Sequence, residues 1–202
     1  MVREGDNDRV VTYRVMDNLP VIVWDRVEGK RRVVPMRWGW PRPDYHWKIP
    51  RHIHARGETI DKKLFAAVFR EGQRGIVAMR TFNEAPNLRG TPAQHTITPG
   101  EMGAIGVAFL WRQFEVPEIA ATAAACVMVT VPANKLIATL PTNRMPAVLA
   151  DEDWDMWLRG TPDEAKACLK TVEGVRWTMT KEEKAANTKR QKPTVSDPTG
   201  LF

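Results

Sequence analysis

The first two-thirds of the chain consists mainly of short segments rich in β-branched and aromatic residues, separated by turn residues. Near the N-terminus these segments are Arg9–Val15, Pro20–Arg26 and Arg32–Trp38. The residues that separate them are Asp17, Asn18 and Glu28–Gly29. Runs of this length and composition, bounded by turn residues, are typical of antiparallel strands.

The same pattern continues further along the chain. Strands are predicted over Gly75–Arg80, Gln94–Thr98, Met102–Trp111 and Ala125–Val131. Apolar residues at helical spacing interrupt the pattern over Asp61–Arg70, after Thr59, which is suited to capping. The apolar face of this predicted helix contains Leu64, Phe65, Val68 and Phe69.

Two further helices are predicted near the C-terminus. Pro132–Leu140 begins with proline at an early helical position. Ala150–Arg159 begins with an acidic cluster and ends before Gly160. The predicted fold class is therefore α+β, a barrel-like domain dominated by antiparallel strands with a few flanking helices.

Length and composition favour one domain over residues 1–202, because 43% of the 202 residues are hydrophobic, enough for one core. The charged segment that begins near Thr180 precedes prolines and a glycine. Residues 180–202 are therefore expected to form an extended or partly disordered tail.

The apolar runs Gly103–Trp111 and Ala120–Val131 are too short to span a bilayer, and Met1–Arg9 is too polar for a secretion signal. Cys126 and Cys168 form no CxxC pair, which favours buried thiols in a reducing compartment. We therefore expect a cytoplasmic protein with no membrane partner, and a monomer is favoured.

The net charge of +6 and the pI of about 9.5 are compatible with a polyanionic partner. The eight tryptophans suit stacking on unpaired bases, although each also suits a core. The spacing of His52 and His54 would place both imidazoles on one side of a strand. No acidic or thiol partner has a spacing typical of metal sites, so neither a metal nor another cofactor is expected.

Several segments follow one another in the order of the landmarks of a known family. They are Tyr13–Val23 (YRVMDNLPVIV), Arg37–Gly39 (RWG) with the loop Trp40–Trp47, Ala55–Thr59 (ARGET), Arg74–Glu84 (RGIVAMRTFNE), Gly103–Trp111, Asn143–Leu149 (NRMPAVL) and Asn187–Phe202. In this order they resemble the SOS-response-associated peptidase (SRAP) family, which handles abasic sites in single-stranded DNA.

The resemblance implies a specific chemistry. In the family, removal of the initiator methionine exposes a cysteine, whose amine condenses with the aldehyde of a ring-opened abasic site while its thiol closes a thiazolidine. An asparagine positions the terminus, a glutamate shuttles protons and a histidine helps to open the sugar ring. Such chemistry needs an unprotonated amine, a nearby thiol and an acid or base.

Only the glutamate is retained at the matching positions, as Glu84. Val2 stands at the cysteine position, His54 at the asparagine position and Thr142 at the histidine position. A start codon placed too far downstream would explain Val2 and the short segment before Tyr13, but not His54 or Thr142. Changes at separate motifs favour a divergent, phage-related paralogue that has lost crosslinking.

The matching DNA-binding positions are better retained. The resemblance assigns a phosphate contact to Arg56, although Arg56 could instead pair with Glu58 or Asp61, and it assigns DNA binding to Arg144, the arginine of the RMP motif. It places Arg37, Trp38 and Asn143 in the DNA-binding region as well.

Three functions remain open at this point: an abasic-DNA-processing protein, a non-catalytic single-stranded DNA binder, and an interaction protein on the same scaffold. The residual chemistry implied for the first is a Schiff base at the Val2 amine, with Glu84 or His54 assisting elimination and Thr142 most simply inert. Single-stranded DNA is the expected partner.

Overall fold

A computed structural model of the protein describes residues 11–42, 45–84, 94–100, 103–116, 120–173 and 176–182. The strands of its main sheet are β1 (Asn18–Asp25), β2 (Lys30–Trp38), β5 (His54–Arg56), β6 (Arg74–Met79), β9 (Ile105–Val116), β10 (Ala121–Pro132), β11 (Arg144–Pro146) and β12 (Val148–Leu149). The remaining strands are β3 (Trp40–Arg42), β4 (Tyr45–His52), β7 (Phe82–Glu84), β8 (His95–Thr98) and β13 (Thr178–Lys181). The helices are α1 (Ala66–Arg70), α2 (Trp154–Arg159) and α3 (Pro162–Ala167).

Five strands of the main sheet close on themselves. The order β10-β2-β1-β6-β9 returns to β10 through its pairing with β9. All of these pairings are antiparallel except that between β2 and β10, where Ala125 lies opposite Arg37 and Cys126 opposite Trp38. The predicted α+β class with a barrel-like antiparallel sheet is confirmed.

One wall of this barrel is extended by strands that arrive from distant parts of the sequence. β5 runs parallel to β10, with Met128 opposite His54 and Thr130 opposite Arg56. β11 pairs with the end of β10 in antiparallel fashion, where Pro132 lies opposite Arg144. Segments from the middle and the end of the chain therefore lie side by side on β10.

A contiguous core of apolar side chains fills the space between the sheet and the helices. Trp157 of α2 is fully buried, packs against Phe69 of α1 and donates its indole N–H to the carbonyl of Gly75 at 2.8 Å. The Arg74 guanidinium, also buried, donates to the carbonyl of Gly160 just after α2. The helices are thus anchored on β6 by both apolar packing and hydrogen bonds.

Close packing also explains why β9 has a glycine, Gly106, at this position. A Cβ at this position would lie 2.5 Å from the ring of Trp154. Trp154 therefore rests directly on the backbone of the sheet, which no residue larger than glycine would allow.

The predicted strand Arg9–Val15 is wrong over its described part, because residues 11–14 have no regular structure and Val15 lies in a turn. The helix predicted over Asp61–Arg70 is largely wrong as well. A 3₁₀ turn covers Lys63–Phe65, and only Ala66–Arg70 is α-helical. Leu64, assigned to the apolar face, is 50% exposed, whereas Val68 and Phe69 are buried as predicted.

The helix predicted over Pro132–Leu140 is also wrong. Pro132 is the last residue of β10, and only Ile137–Thr139 forms a 3₁₀ turn. Pairing of Pro132 with Arg144 of β11 extends the strand up to the proline, so tertiary pairing prevails over local helix signals. The predicted end of the later helix before Gly160 is confirmed.

Cys126 and Cys168 are both buried, as the sequence suggested for Cys126. Within the described ranges, no helix combines the length and apolar character that crossing a bilayer requires. Of the predicted tail, Thr180 and Lys181 belong to β13, which pairs with β8, and residues 183–202 lie outside the described residues.

Candidate functional site

A pocket of about 870 Å³ opens where β5, β7, β10 and β11 approach one another. Its polar and charged lining residues are His54, Arg56, Glu84, Thr130, Thr142, Asn143 and Arg144. Its apolar lining residues are Met128, Leu140, Pro141 and Met145. The positions at which the family resemblance implies chemistry, His54, Glu84 and Thr142, therefore share this pocket with the implied DNA-binding residues Arg56, Asn143 and Arg144.

The parallel pairing of β5 with β10 directs His54 and Arg56 into the pocket. Ala55 between them is buried in the core, so its neighbours along the strand point to the opposite face. The His54 ring lies 6.5 Å from the ring of Trp38. Desolvation, together with the charge of Arg144, lowers the pKa of His54 below its usual value of 6.5. Its imidazole is therefore neutral at pH 7 and able to accept a proton.

Glu84 ends β7, opposite His95 of β8, and is half-buried at the pocket wall. Burial raises the pKa of its carboxyl group from 4.5 to about 7. At neutral pH a large fraction of Glu84 thus carries a proton, and the group can donate or accept one. Carboxyl groups with a pKa this high are concentrated at functional sites.

Arg144 is held by several partners at once. Its two terminal nitrogens bind the two carboxylate oxygens of Glu58, with Nη2 at 2.9 Å from Oε2. The guanidinium also donates to the hydroxyl and the carbonyl of the buried Thr130 on β10. This bidentate arrangement is the strongest form of an Arg–carboxylate contact.

Arg56 differs from Arg144 in both exposure and partners. The side chain is exposed, and no ion pair joins it to any carboxylate within the described part of the chain. Of the two partners considered from the sequence, Glu58 binds Arg144 and Asp61 binds Lys166 at 2.6 Å. Neither carboxylate forms a close ion pair with Arg56, although the charge of Arg56 helps to lower the pKa of Glu58.

Thr142 and Asn143 lie on the loop that leads into β11. The Thr142 hydroxyl approaches the backbone of Arg144, its Oγ1 lying 3.3 Å from the Arg144 carbonyl oxygen and 3.4 Å from the Arg144 nitrogen. The Asn143 carbonyl accepts a hydrogen bond from Ala133 at 3.0 Å. Both residues line the pocket, whereas Val2 lies outside the described residues. Their catalytic and DNA-binding roles remain predictions.

Arg37 and Trp38 occupy different surroundings from those expected for a DNA-contacting pair. Trp38 is half-buried, packs against His54 and donates its indole N–H to the carbonyl of Ile53 at 3.1 Å. Arg37 is only 4% exposed and lies 4.7 Å from the ring centre of Trp47, and desolvation lowers its pKa. Trp38 therefore borders the pocket through His54, and Arg37 lies apart from the pocket lining.

The two neighbouring histidines do not form a pair. The His52 ring packs edge-on against Phe65 at 6.0 Å, whereas His54 packs against Trp38. Among the residues that the structure describes, no group of three His, Cys, Asp or Glu side chains is arranged to hold a metal ion.

Sequence reasoning did not identify Thr130 as a site residue, nor Glu58 as the partner of Arg144. Thr130 is a polar residue within the apolar stretch of β10, and this interruption was a signal that could have marked it. Glu58 carried no comparable signal, because its partner lies on a distant strand.

Comparisons with known proteins bear on this fold and pocket. The family model described as SOS response associated peptidase (SRAP) matches residues 4–188. No curated protein shows significant sequence similarity to the chain. Crystal structures with the same fold exist, at identities that carry no argument beyond the fold.

A protein from Bacteroides thetaiotaomicron aligns with a TM-score of 0.68 at 17% identity, covering 84% of this chain and 75% of that one. A protein from Bordetella bronchiseptica aligns with a TM-score of 0.69 at 18% identity, covering 82% of this chain and 84% of that one. A phage-related protein from the same organism aligns with a TM-score of 0.62 at 18% identity, covering 88% of this chain and 86% of that one. Because the family match spans most of the sequence, the chain belongs to the SOS-response-associated peptidase family.

Proposed function

We propose that this protein binds single-stranded DNA at abasic sites in the SOS response, with the family's covalent crosslinking lost or reduced to weak Schiff-base lyase activity. Family membership supports a role in the response to DNA damage. The observation that carries the proposal is the pocket in which Arg56, with no ion pair to a described carboxylate, lies beside the proton-exchanging groups Glu84 and His54.

The charge arrangement suits a nucleic-acid backbone. Arg56 is exposed at the pocket without a carboxylate partner among the described residues, so its planar guanidinium is available to a phosphate. The net charge of +6 adds a favourable long-range attraction. An abasic nucleotide, lacking its base, would let the sugar enter the pocket while the neighbouring phosphate rests on Arg56.

The loss of crosslinking rests on the thiols. The chain has two cysteines, and both Cys126 and Cys168 are buried in the core rather than in the pocket lining. Burial also raises the pKa of each thiol, which disfavours the reactive thiolate. Without a thiol beside the aldehyde, no thiazolidine can close.

The residual chemistry would use the Val2 amine that methionine removal exposes. An α-amine with a pKa of roughly 8 is partly unprotonated at neutral pH. It would add to the C1′ aldehyde, and loss of water would give an imine. Removal of a C2′ proton would then expel the 3′ phosphate. Protonated Glu84 would protonate the leaving hydroxyl group, and neutral His54 would accept the C2′ proton.

The Arg56→Ala variant tests the phosphate contact. We expect roughly fivefold weaker binding to a single-stranded oligonucleotide with a tetrahydrofuran abasic analogue at low salt, since one charge-assisted contact is lost. The slope of log affinity against log salt should become shallower by about 0.7. Fluorescence anisotropy across a salt series measures both.

The matched control is Arg70→Ala, which removes an exposed arginine at the end of α1 and lowers the net charge equally. It should leave the salt slope close to that of the wild type. Absence of wild-type binding at low salt would refute the DNA proposal. If the salt slope of Arg56→Ala equalled that of the wild type, Arg56 would not contact a DNA phosphate.

Borohydride trapping tests the residual chemistry. The methionine-processed protein is incubated with abasic single-stranded DNA, with and without borohydride, and run on a denaturing gel. We expect a faint adduct only with borohydride, further reduced in Glu84→Gln. A stable adduct without reductant would show that crosslinking is retained. No adduct in either lane would leave a non-catalytic DNA binder.

A further inference from the structure

We propose that Glu58 is a built-in competitor for phosphate, whose carboxylate occupies Arg144 and leaves Arg56 as the residue of this pair that grips DNA. The inference rests on the proposed binding of single-stranded DNA and changes how the pocket performs it. Arg144 then holds the pocket wall together, and the affinity for a single strand is set below what two free arginines would give.

The hydrogen bonds of Arg144 support this role. A guanidinium has five N–H groups. Here Nε donates to the Thr130 hydroxyl at 3.3 Å, Nη2 donates to Thr130 and to Glu58, and Nη1 donates to the other Glu58 oxygen. One N–H on Nη1 is left over, so a phosphate cannot bind in bidentate fashion unless Glu58 withdraws.

Glu58 is the more exposed partner of the pair. Its side chain is 46% exposed, against 22% for that of Arg144, and it belongs to the short 3₁₀ turn Gly57–Thr59 that follows β5. Arg144 is additionally fixed to β10 through the buried Thr130. Any exchange of partners would therefore move Glu58 and leave the guanidinium in place.

Replacing the Glu58 carboxylate by a DNA phosphate at Arg144 would add little to the binding free energy of the complex. A phosphate arriving at Arg144 would replace one bidentate anion by another and would meet the displaced Glu58 carboxylate nearby. The hydrogen bonds of Arg144, with the charges of Arg144 and Arg56, keep the pKa of Glu58 below its usual value. The competing anion is consequently present throughout the neutral pH range.

Arg56 stands two residues before Glu58 on the same chain segment and has no carboxylate partner among the described residues. A phosphate bound there needs no prior displacement. The observation behind the inference is that the same pocket is lined by one guanidinium bound to a carboxylate and by another that forms no ion pair with any carboxylate of the described residues.

The test compares Glu58→Gln, the double variant Glu58→Gln/Arg144→Gln and the wild type, using anisotropy with the abasic-analogue oligonucleotide over 50–200 mM salt. In Glu58→Gln, Arg144 becomes available, so the salt slope should steepen by about 0.7, and binding at low salt should tighten roughly fivefold. The double variant has the wild-type net charge and should keep the wild-type slope.

Glu28→Gln is the matched control for charge. It breaks an exposed pair with Lys30 in the turn between β1 and β2 and changes the net charge by the same amount. Its slope should stay at the wild-type value.

Several results would overturn the inference while leaving DNA binding intact. Unchanged or weaker binding by Glu58→Gln would show that Glu58 does not compete. A shallower slope in the double variant would show that Arg144 already binds phosphate in the wild type. A wild type that fails to bind at all would instead refute the proposed function itself.

Discussion

Replacing Trp157 with alanine is expected to lower the free energy of unfolding by about 3–5 kcal/mol, the range typical of a large buried aromatic residue. The side chain is fully buried between α2 and the sheet and packs against Phe69. Its loss would leave a cavity and would also deprive the Gly75 carbonyl of its indole donor. Urea denaturation followed by circular dichroism measures the change.

Met156→Ala is the matched control on the same helix. Met156 is 37% exposed, so its truncation removes little buried surface and should cost less than about 1 kcal/mol. No residue of α2 lines the pocket, so DNA binding by folded Trp157→Ala should match the wild type. If Trp157→Ala lost no more stability than Met156→Ala, the contacts of Trp157 would not anchor α2 to the fold.

Glu84→Gln is expected to stabilise the protein at high pH. A pKa raised from 4.5 to about 7 means that the folded state binds the proton more tightly than the unfolded state does. The stability of the wild type therefore falls as the pH rises from about 4.5 to 7 and stays low above that range. Glutamine carries no charge and removes this loss.

The size of the effect depends on how well water is excluded. Complete shielding would make the ionised carboxylate cost about 3 kcal/mol above pH 7. Because Glu84 is only half-buried, solvent screening reduces the expected gain of the variant to roughly 1–2 kcal/mol at pH 8. At pH 4 the two proteins should be equally stable.

Denaturation at pH 4, 6 and 8 tests the prediction, with Glu152→Gln, an exposed position, as the control that should follow the wild type. A gain that is equal at all pH values would point to repacking rather than to ionisation. If Glu84→Gln were less stable than the wild type at pH 8, the ionised Glu84 carboxylate would have a favourable partner in the folded protein.

The sequence predicted the barrel strands better than the helices. Only β1 alternates between buried and exposed residues, whereas β6 and β10 contain continuous buried runs, as strands covered on both faces do. The helix signals over residues 61–70 and 132–140 are local, and they were outweighed by contacts that no local pattern contains. The partner of Pro132, for example, is Arg144 on the next strand.

The site was predicted residue by residue from the family resemblance, and the structure gathers most of it in one pocket. His54, Arg56 and Arg144 meet there because β5 and β11 both pair with β10, and Glu84 reaches the same pocket from β7 of the three-stranded sheet. Their partners were not predictable. The sequence left Arg56 a possible bond to Glu58, yet Glu58 binds Arg144, since only the folded strands decide which arginine is nearer.

The parallel seam between β10 and the strands β2 and β5 also has a kinetic consequence. Ala125 must find Arg37, and Met128 must find His54, across long stretches of intervening chain. Contacts this distant in sequence slow folding, and all-β barrels typically fold in milliseconds to seconds. We expect the hairpin of β1 and β2 to form early and the seam to close late. The pocket, and with it the proposed binding of DNA, would then arise only in the last step of folding, so that partly folded chains emerging from the ribosome would lack this binding site.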